Sequence, residues 1–224
     1  PFRLHHYPCY ARFLPPPTSK KSDRSMRIIS PLVITAIVGL LVACSTDKPE
    51  EQCQGRGKNL LQDPSFSTIS APRSQRRWFA SEHAAGQSFE YEVKNGELEI
   101  RKTGNEPWFI LRQIVPRKEI PGKFAVFSAE IKLDMEPAAF EHGFEMGGGL
   151  SVTAMANGKP IVRSILEHEP RIGNTDWQRV AVRVELPKKI DSVRVGFLHQ
   201  ADGTLWVRNP SFQKTNKASC PDRY

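Results

Sequence analysis

A tryptophan and an arginine alternate along one predicted strand, in a pattern suited to binding a ligand. In residues 108–115 the side chains of Trp108, Ile110 and Arg112 point to the same face. Aromatic rings stack on the apolar C–H side of sugar rings, and guanidinium groups donate hydrogen bonds to hydroxyl oxygens. An arginine is also costly to bury without a partner. Trp108 and Arg112 are therefore the best candidates for a ligand-binding face.

Five more side chains are candidates for this face. Glu130, Thr153 and His199 would join it if their strands are neighbours in the same sheet. Trp206 alternates away from its two neighbours, so a ligand anchor and a second layer of core remain equally open for it. Trp78 is a weaker candidate near the start of a strand. For each of the five, a plain structural position at the surface, at the rim or in the core is the competing interpretation.

The sequence contains no pattern that predicts catalysis. Serine-nucleophile, zinc-protease, dinucleotide and phosphate-loop motifs do not occur. The cluster Glu167-His168-Glu169 is better interpreted as a solvated loop beside Pro170. Two carboxylate pairs are better interpreted as solvent-facing charges than as acid/base pairs: Glu90 with Glu92, and Glu97 with Glu99. No His or Cys pair has metal-ligand spacing. We expect no enzymatic activity, no catalytic residue and no metal site.

Charge is distributed unevenly along the chain. The chain has 224 residues, a length that suits one domain with extensions. Of these residues 39% are apolar and 25% are charged, and the formal net charge is +8. Residues 1–43 hold six basic side chains and one acidic one. The remainder has 26 basic and 23 acidic residues, a net charge of +3. Because the basicity belongs largely to the N-terminus, we do not expect a nucleic-acid partner.

Residues 26–43 have the pattern of a signal peptide. Arg27 precedes a mostly apolar stretch, residues 28–43, which as a helix would span about 24 Å, less than the ~30 Å core of a bilayer. Leu41-Val42-Ala43-Cys44 resembles the lipobox of bacterial lipoproteins. The resemblance implies cleavage before Cys44, a diacylglyceryl group on its thiol and an acylated amine, with palmitate-like chains in membrane lipid. Ser45 favours the outer membrane in a Gram-negative host.

Residues 1–25 do not fit a signal peptide or a folded domain. They begin with Pro1, contain three consecutive prolines and precede Met26, where a signal peptide should start. We interpret residues 1–25 as an over-called upstream segment; an unusually long basic region is the alternative. The predicted organisation is then a signal peptide at 26–43, a lipidated cysteine and linker at 44–58, a folded domain at 59–214 and a tail at 215–224.

Period-two alternation of apolar side chains recurs throughout residues 59–214. Val180, Val182, Val184 and Leu186 share one face of their run, and Trp177, which leads into it, is predicted to lie at the core rim. The predicted strands are residues 77–80, 88–93, 97–101, 108–115, 123–134, 150–156, 161–166, 180–186, 193–197 and 204–208.

Turn residues lie between these runs and complete the prediction of the fold. Asn95-Gly96, Asn157-Gly158 and Asp202-Gly203 supply the positive φ that tight hairpins need. Residues 135–149 form the longest irregular stretch. About ten short antiparallel strands at hairpin spacing predict an all-β fold, a β-sandwich.

The order of several short motifs resembles the carbohydrate-binding modules of the galactose-binding-like jelly-roll class. The resemblance covers nearly all of residues 59–214 and rests on Asn59-Leu60-Leu61 with Pro64 and Phe66, Trp78, Gly96-Glu97-Leu98, Pro107-Trp108, Gln113, residues 121–124, residues 176–180 and residues 203–212. It implies a jelly roll that binds carbohydrate. Arg208-Asn209 stands where that family usually has an aspartate, so a structural calcium ion is doubtful and no cofactor is expected.

The same resemblance bears on the cysteines. In a jelly roll of this class the first and last strands lie close together, which implies that Cys53 and Cys220, on either side of the sandwich, can meet. Export would place them where disulfides persist. We predict a Cys53–Cys220 disulfide, with two free thiols in frayed termini as the alternative.

The sequence as a whole predicts a protein that is exported and anchored by lipid to the bacterial cell envelope. Its β-sandwich would bind a glycan, such as an envelope polysaccharide, without catalysis. The alternative is a structural or protein-interaction lipoprotein that uses the same sandwich face for an envelope protein partner. The identity of the ligand does not follow from the sequence.

Overall fold

Alternating apolar side chains form β-strands throughout the described part of the chain. The computed structural model describes residues 54–84, 87–136, 140–141, 144–145, 147–165 and 171–216. A 3₁₀ turn spans Arg117–Glu119. Among the described residues no helix has the length and apolar character needed to cross a membrane. The strands are β1 Phe79–Glu82, β2 Phe89–Lys94, β3 Glu97–Lys102, β4 Phe109–Pro116, β5 Phe124–Met135, β6 Phe140–Glu141, β7 Phe144–Glu145, β8 Gly148–Ala156, β9 Lys159–Ile165, β10 Gly173–Glu185, β11 Ser192–His199 and β12 Gly203–Thr215.

Ten of these strands form two antiparallel sheets of five strands each. The first sheet has the order β1-β4-β11-β8-β9, and the second has the order β10-β5-β12-β3-β2. Strands β6 and β7 pair with each other. The predicted all-β sandwich of about ten antiparallel strands is confirmed.

The core lies between the two sheets. In β11, Val193, Val195 and Phe197 are fully buried because alternate side chains point inward, and Arg194 points outward. The centre is aromatic: Phe197 packs against Phe66, Trp78 and Phe127, with ring centroids 5.4 to 5.9 Å apart. Since Phe127 belongs to β5 in the second sheet, these rings join the two layers.

Two strands are longer than the sequence pattern predicts, because β-bulges carry them past a break in alternation. Strand β12 continues beyond Arg208 to Thr215, with an irregularity between Arg208 and Ser211 where Asn209 has a φ of +52°. Strand β10 begins at Gly173 and has a similar shift between Thr175 and Gln178. The irregular stretch predicted at 135–149 contains β6, β7 and the start of β8.

The predicted hairpin turns have two different outcomes. Asn95-Gly96 and Asn157-Gly158 connect paired strands, and both residues of each dipeptide have positive φ, as type I′ turns require. Asp202-Gly203 connects β11 to β12, which belong to different sheets, so it is a crossover and not a hairpin. Gly203 has a φ of +106° there, and an added Cβ would collide with the carbonyl oxygen of Asp134.

The N-terminal end of the described chain pairs with the last strand. Leu60 N donates to Phe212 O at 2.8 Å, and Arg56 N donates to Lys214 O at 2.8 Å. The Asn59 side chain joins the two segments, because its Nδ2 donates to Pro210 O at 3.0 Å and its Oδ1 accepts from Phe212 N at 3.0 Å. The segment 54–60 is therefore hydrogen-bonded along β12.

Several predicted features lie outside the described residues. They are the segment 1–25, the signal peptide 26–43, Cys44 and its lipid, Cys53, Cys220 and the cluster Glu167-His168-Glu169. The predictions for them stay predictions.

Candidate functional site

A cleft of about 400 Å³ lies on the outer face of the first sheet, on the side away from the core. Volumes of this size are typical of small-molecule sites. Its walls combine an aromatic ring, aliphatic side chains, hydroxyl groups and guanidinium groups. The side chains that matter for its chemistry are Trp108, Ile110, Arg112, Ser151, Thr153 and Arg194.

Strand pairing places these side chains together. Arg112 in β4 lies opposite Gly196 in β11, which in turn lies opposite Ser151 in β8. In the next outward-facing row Arg194 lies opposite Thr153. Because outward residues recur at every second position, three adjacent strands contribute to one surface.

Gly196 keeps the middle of this surface open. A Cβ added there would lie 2.5 Å from the carbonyl oxygen of Leu111 and 3.0 Å from the Cβ of Arg112, so the backbone leaves no room for a side chain. A glycine inside a strand commonly marks a place where another group approaches the backbone closely. The cleft therefore has a floor of bare backbone between Arg112 and Ser151.

Two arginines give the cleft its electrostatic character. Burial lowers the pKa of Arg112, and the positive charge of Arg194 lowers it further. The Nε of Arg194 is buried and has no hydrogen-bond partner among the described residues. Among the described residues that line the cleft, none is acidic. The site is cationic and partly dehydrated.

Trp108 stands at the end of the cleft nearest the start of β4. Its indole is partly buried and meets the imidazole ring of His83 edge to face, with centroids 6.2 Å apart. The Nδ1 of His83 lies 3.4 Å from a carboxylate oxygen of Glu106. The indole ring of Trp108 therefore contacts His83 and also lines the cleft.

Of the seven predicted ligand residues, the structure brings three into the cleft: Trp108, Arg112 and Thr153. The other four lie elsewhere. His199 and Trp78 are inside the core, and Glu130 and Trp206 are on the second sheet.

His199 does not reach the ligand face because it has the same phase as the buried residues of β11. Its side chain is fully buried and packs edge to face on Phe89 at 5.2 Å between centroids. Its Nε2 lies 3.2 Å from Gly203 O. Burial lowers the pKa of His199 to about 4, so the ring is neutral near pH 7.

Trp78 was a weaker candidate for the ligand face, but it lies in the core, where it is 1% exposed. Its Nε1 donates to the backbone oxygen of Asp63 at 2.7 Å, and its ring packs on Phe66 at 5.3 Å between centroids. A buried tryptophan whose N–H is satisfied in this way is a structural residue.

Glu130 belongs to β5 of the second sheet, on its outer face. Arg208 donates to Glu130 at 2.7 Å and to Glu97 at 3.2 Å. The bond from Arg208 to Glu130 is the main cause of the lowered pKa of Glu130. The guanidinium of Arg208 also lies 4.1 Å from the ring centroid of the partly buried Trp177.

Trp206, partly buried on the same face, has a comparable arrangement. Lys132 Nζ lies 4.7 Å from its ring centroid, and its Nε1 donates to Glu99 at 3.2 Å. On this sheet Trp177, Trp206 and Arg208 thus already contact partners within the chain.

The carboxylate pairs of β2 and β3 have basic partners. Glu90 accepts from Arg101 at 2.6 Å, and Glu92 lies 2.6 Å from Lys94 Nζ. Glu97 binds Arg208, as above. In the described part of the chain no group of three or more His, Cys, Asp or Glu side chains is arranged to hold a metal ion.

Arg194, Ser151 and Gly196 were not predicted. Arg194 alternates outward between Val193 and Val195, so its exposure was readable from the sequence. That β11 lies between β4 and β8, which brings Arg194 beside Arg112, depends on long-range pairing that alternation does not encode.

Comparison with known proteins gives a fold-level likeness only. No family model matches the sequence, and no curated protein matches it significantly. The enzymatically active domain of bacteriophage CBA120 tailspike protein 4 is 12% identical over 70% of this chain and 21% of that chain, with a TM-score of 0.49. A family 4 carbohydrate-binding module is 14% identical over 69% of this chain and 99% of its own, with a TM-score of 0.47. A family 61 module solved with β-1,4-galactotriose is 12% identical over 71% and 100%, with a TM-score of 0.43.

These likenesses carry no weight on function at TM-scores below 0.5. The fold is established by the strand pairing of this chain, and one fold hosts many activities. The function has to follow from the chemistry of the cleft.

Proposed function

We propose that this protein binds a glycan in the cleft of the first sheet, without catalysis. The proposal is carried by one observation: Trp108 and Arg112 line the same open cleft, whose floor at Gly196 has no side chain. An aromatic ring and an aliphatic neighbour offer apolar contact to a sugar ring. Arginine and the hydroxyls of Ser151 and Thr153 offer hydrogen bonds to its oxygens.

Glycan binding is tested by affinity electrophoresis of the full chain in native gels. The gels contain a panel of neutral and acidic polysaccharides, with mild detergent in the sample. We expect at least one polysaccharide to retard the protein. Trp108→Ala should weaken that retardation at least about tenfold, because the apolar contact of a large ring is lost.

The matched control is Trp206→Ala, which removes the same side chain from the other sheet. It should leave retardation unchanged, and thermal unfolding should show that both variants fold. Wild-type protein that no glycan retards, or a folded Trp108→Ala variant that binds as the wild type does, would overturn the proposal.

A protein partner has less support. Among the described residues, the exposed large apolar side chains are Ile114 and Ile161, and scattered exposed apolar residues are normal on protein surfaces. A broad apolar patch would be needed to favour a protein interface.

We also propose export and lipid anchoring through Cys44, with the outer membrane as the destination in a Gram-negative host. Support comes from the sequence alone: the basic start, the short apolar stretch and the residues before Cys44. Mass spectrometry of the protein from cells should find an acylated N-terminal Cys44, and Cys44→Ser should abolish processing. An uncleaved, unmodified precursor as the only species would contradict this.

A further inference from the structure

Two positive charges in the cleft lack any acidic partner within the described chain. Neither Arg112 nor Arg194 takes part in a hydrogen bond or ion pair with an acidic side chain among these residues, and no acidic residue lines the cleft there. Their Cα positions are diagonal neighbours on adjacent strands, since Arg194 lies opposite Ile114 and Arg112 opposite Gly196. The two cations therefore belong to one site.

On the outer face of the second sheet, by contrast, two arginines are paired with carboxylates. Arg208 is bonded to Glu130 and Glu97, and Arg101 to Glu90. Among the described residues, acidic side chains thus bind Arg208 and Arg101 on one surface, whereas Arg112 and Arg194 lie together, partly dehydrated and without an acidic partner, on the other. The described part of the chain therefore leaves the charges of Arg112 and Arg194 available to an anion that binds in the cleft.

An anionic ligand would satisfy both groups. A carboxylate accepts two parallel N–H bonds from a guanidinium fork, and such charge-assisted bonds are among the strongest polar contacts in proteins. Bringing an anion to Arg112 and Arg194 also relieves the repulsion between two like charges in a partly buried site.

The position of Trp108 sets a second requirement for the ligand, in addition to its negative charge. Trp108 and Arg112 are four positions apart along the chain, which in extended backbone corresponds to a Cα separation of about 13 Å, and Ile110 lies between them on the same face. A ligand that contacts both ends must be extended, with apolar ring faces at one end and an anion at the other. A polysaccharide of uronic acids has both properties, because each carboxylate is bonded directly to a sugar ring.

We infer that the cleft binds an acidic glycan through carboxylates of its sugars, held by Arg112 and Arg194. This inference rests on the glycan binding proposed above and names the class of glycan.

The probes are three carboxylated polysaccharides: polygalacturonate, alginate and hyaluronan. Each is paired with its methyl ester, which keeps the backbone and removes the charge. Affinity electrophoresis of the full chain should show retardation by at least one free acid and at least tenfold less by its ester. Arg112→Gln and Arg194→Gln should each weaken binding to that acid about tenfold or more, and added salt should weaken it further.

Arg208→Gln is the control, since it removes the same charge from the second sheet and should leave binding unchanged. Equal retardation by acid and ester, or by a neutral glycan alone, would overturn the inference and leave glycan binding intact. Retardation by dextran sulfate as strong as by the acid would also overturn it, since charge density alone would then explain binding. No retardation by any glycan would overturn both proposals.

Discussion

Asp63 holds the loop that precedes β1, and replacing it by asparagine should destabilise the fold. Its carboxylate accepts from the backbone N–H groups of Ser67 and Thr68, both at 2.9 Å, and from their hydroxyls at 2.9 and 2.7 Å. Burial alone would raise the pKa of Asp63, but the bonds from Thr68 and Ser67 outweigh burial and lower it. The carboxylate is therefore ionised in the folded protein near neutral pH.

The expected magnitude follows from these bonds. In Asp63→Asn, one of the two oxygens becomes an NH₂ group that faces a backbone donor. An unsatisfied buried donor costs about 1–3 kcal/mol, and the remaining bonds lose their charge assistance, so we expect a loss of about 3 kcal/mol. For a domain of this size that corresponds to a melting temperature lower by about 6–12 °C.

Urea unfolding followed by tryptophan fluorescence measures this difference directly. Asp134→Asn, an exposed aspartate in β5, is the control and should stay within about 0.5 kcal/mol of the wild type. A loss below about 1 kcal/mol for Asp63→Asn would show that the loop does not depend on the carboxylate.

Three further outcomes are expected. The pKa of His199 falls to about 4 on folding, so the unfolded chain binds more protons than the folded one in mild acid. The free energy of unfolding should therefore be constant above pH 7 and fall by about 2 kcal/mol as the pH is lowered from 7.5 to 5. A urea midpoint that does not change over that range would contradict this. Arg208→Gln should leave the melting temperature close to that of the wild type, because partly exposed ion pairs contribute little to stability; a marked drop would show that these two ion pairs do stabilise the fold. Thiol titration of the unreduced protein should find Cys53 and Cys220 joined, a bond worth at most about 5 kcal/mol; finding both thiols free would refute it.

The strands were predictable because alternation is a local signal. Trp108, Ile110 and Arg112 share a face in any strand that contains them, whatever lies beside it. The same reasoning, carried two residues further along β11, places His199 in phase with Val195 and Phe197, so its burial was also readable from the sequence.

The grouping of strands into sheets was not predictable in this way. Glu130 and Thr153 both face outward, but β5 belongs to the second sheet and β8 to the first. The choice depends on contacts between distant parts of the chain, which leave no period in the sequence. The role of Gly196 likewise depends on the approach of β4.

The pairing of residues 54–60 with β12 has a mechanical consequence. Gln54 O accepts from Thr215 Oγ1 at 2.9 Å, so the two described ends leave the sandwich at the same place. Tension applied between them would load the outermost pair first and peel the segment bond by bond, while the sheets beneath stay intact. Pulling on the N-terminal end of the described chain would therefore detach this segment before it disturbed the strands that line the cleft.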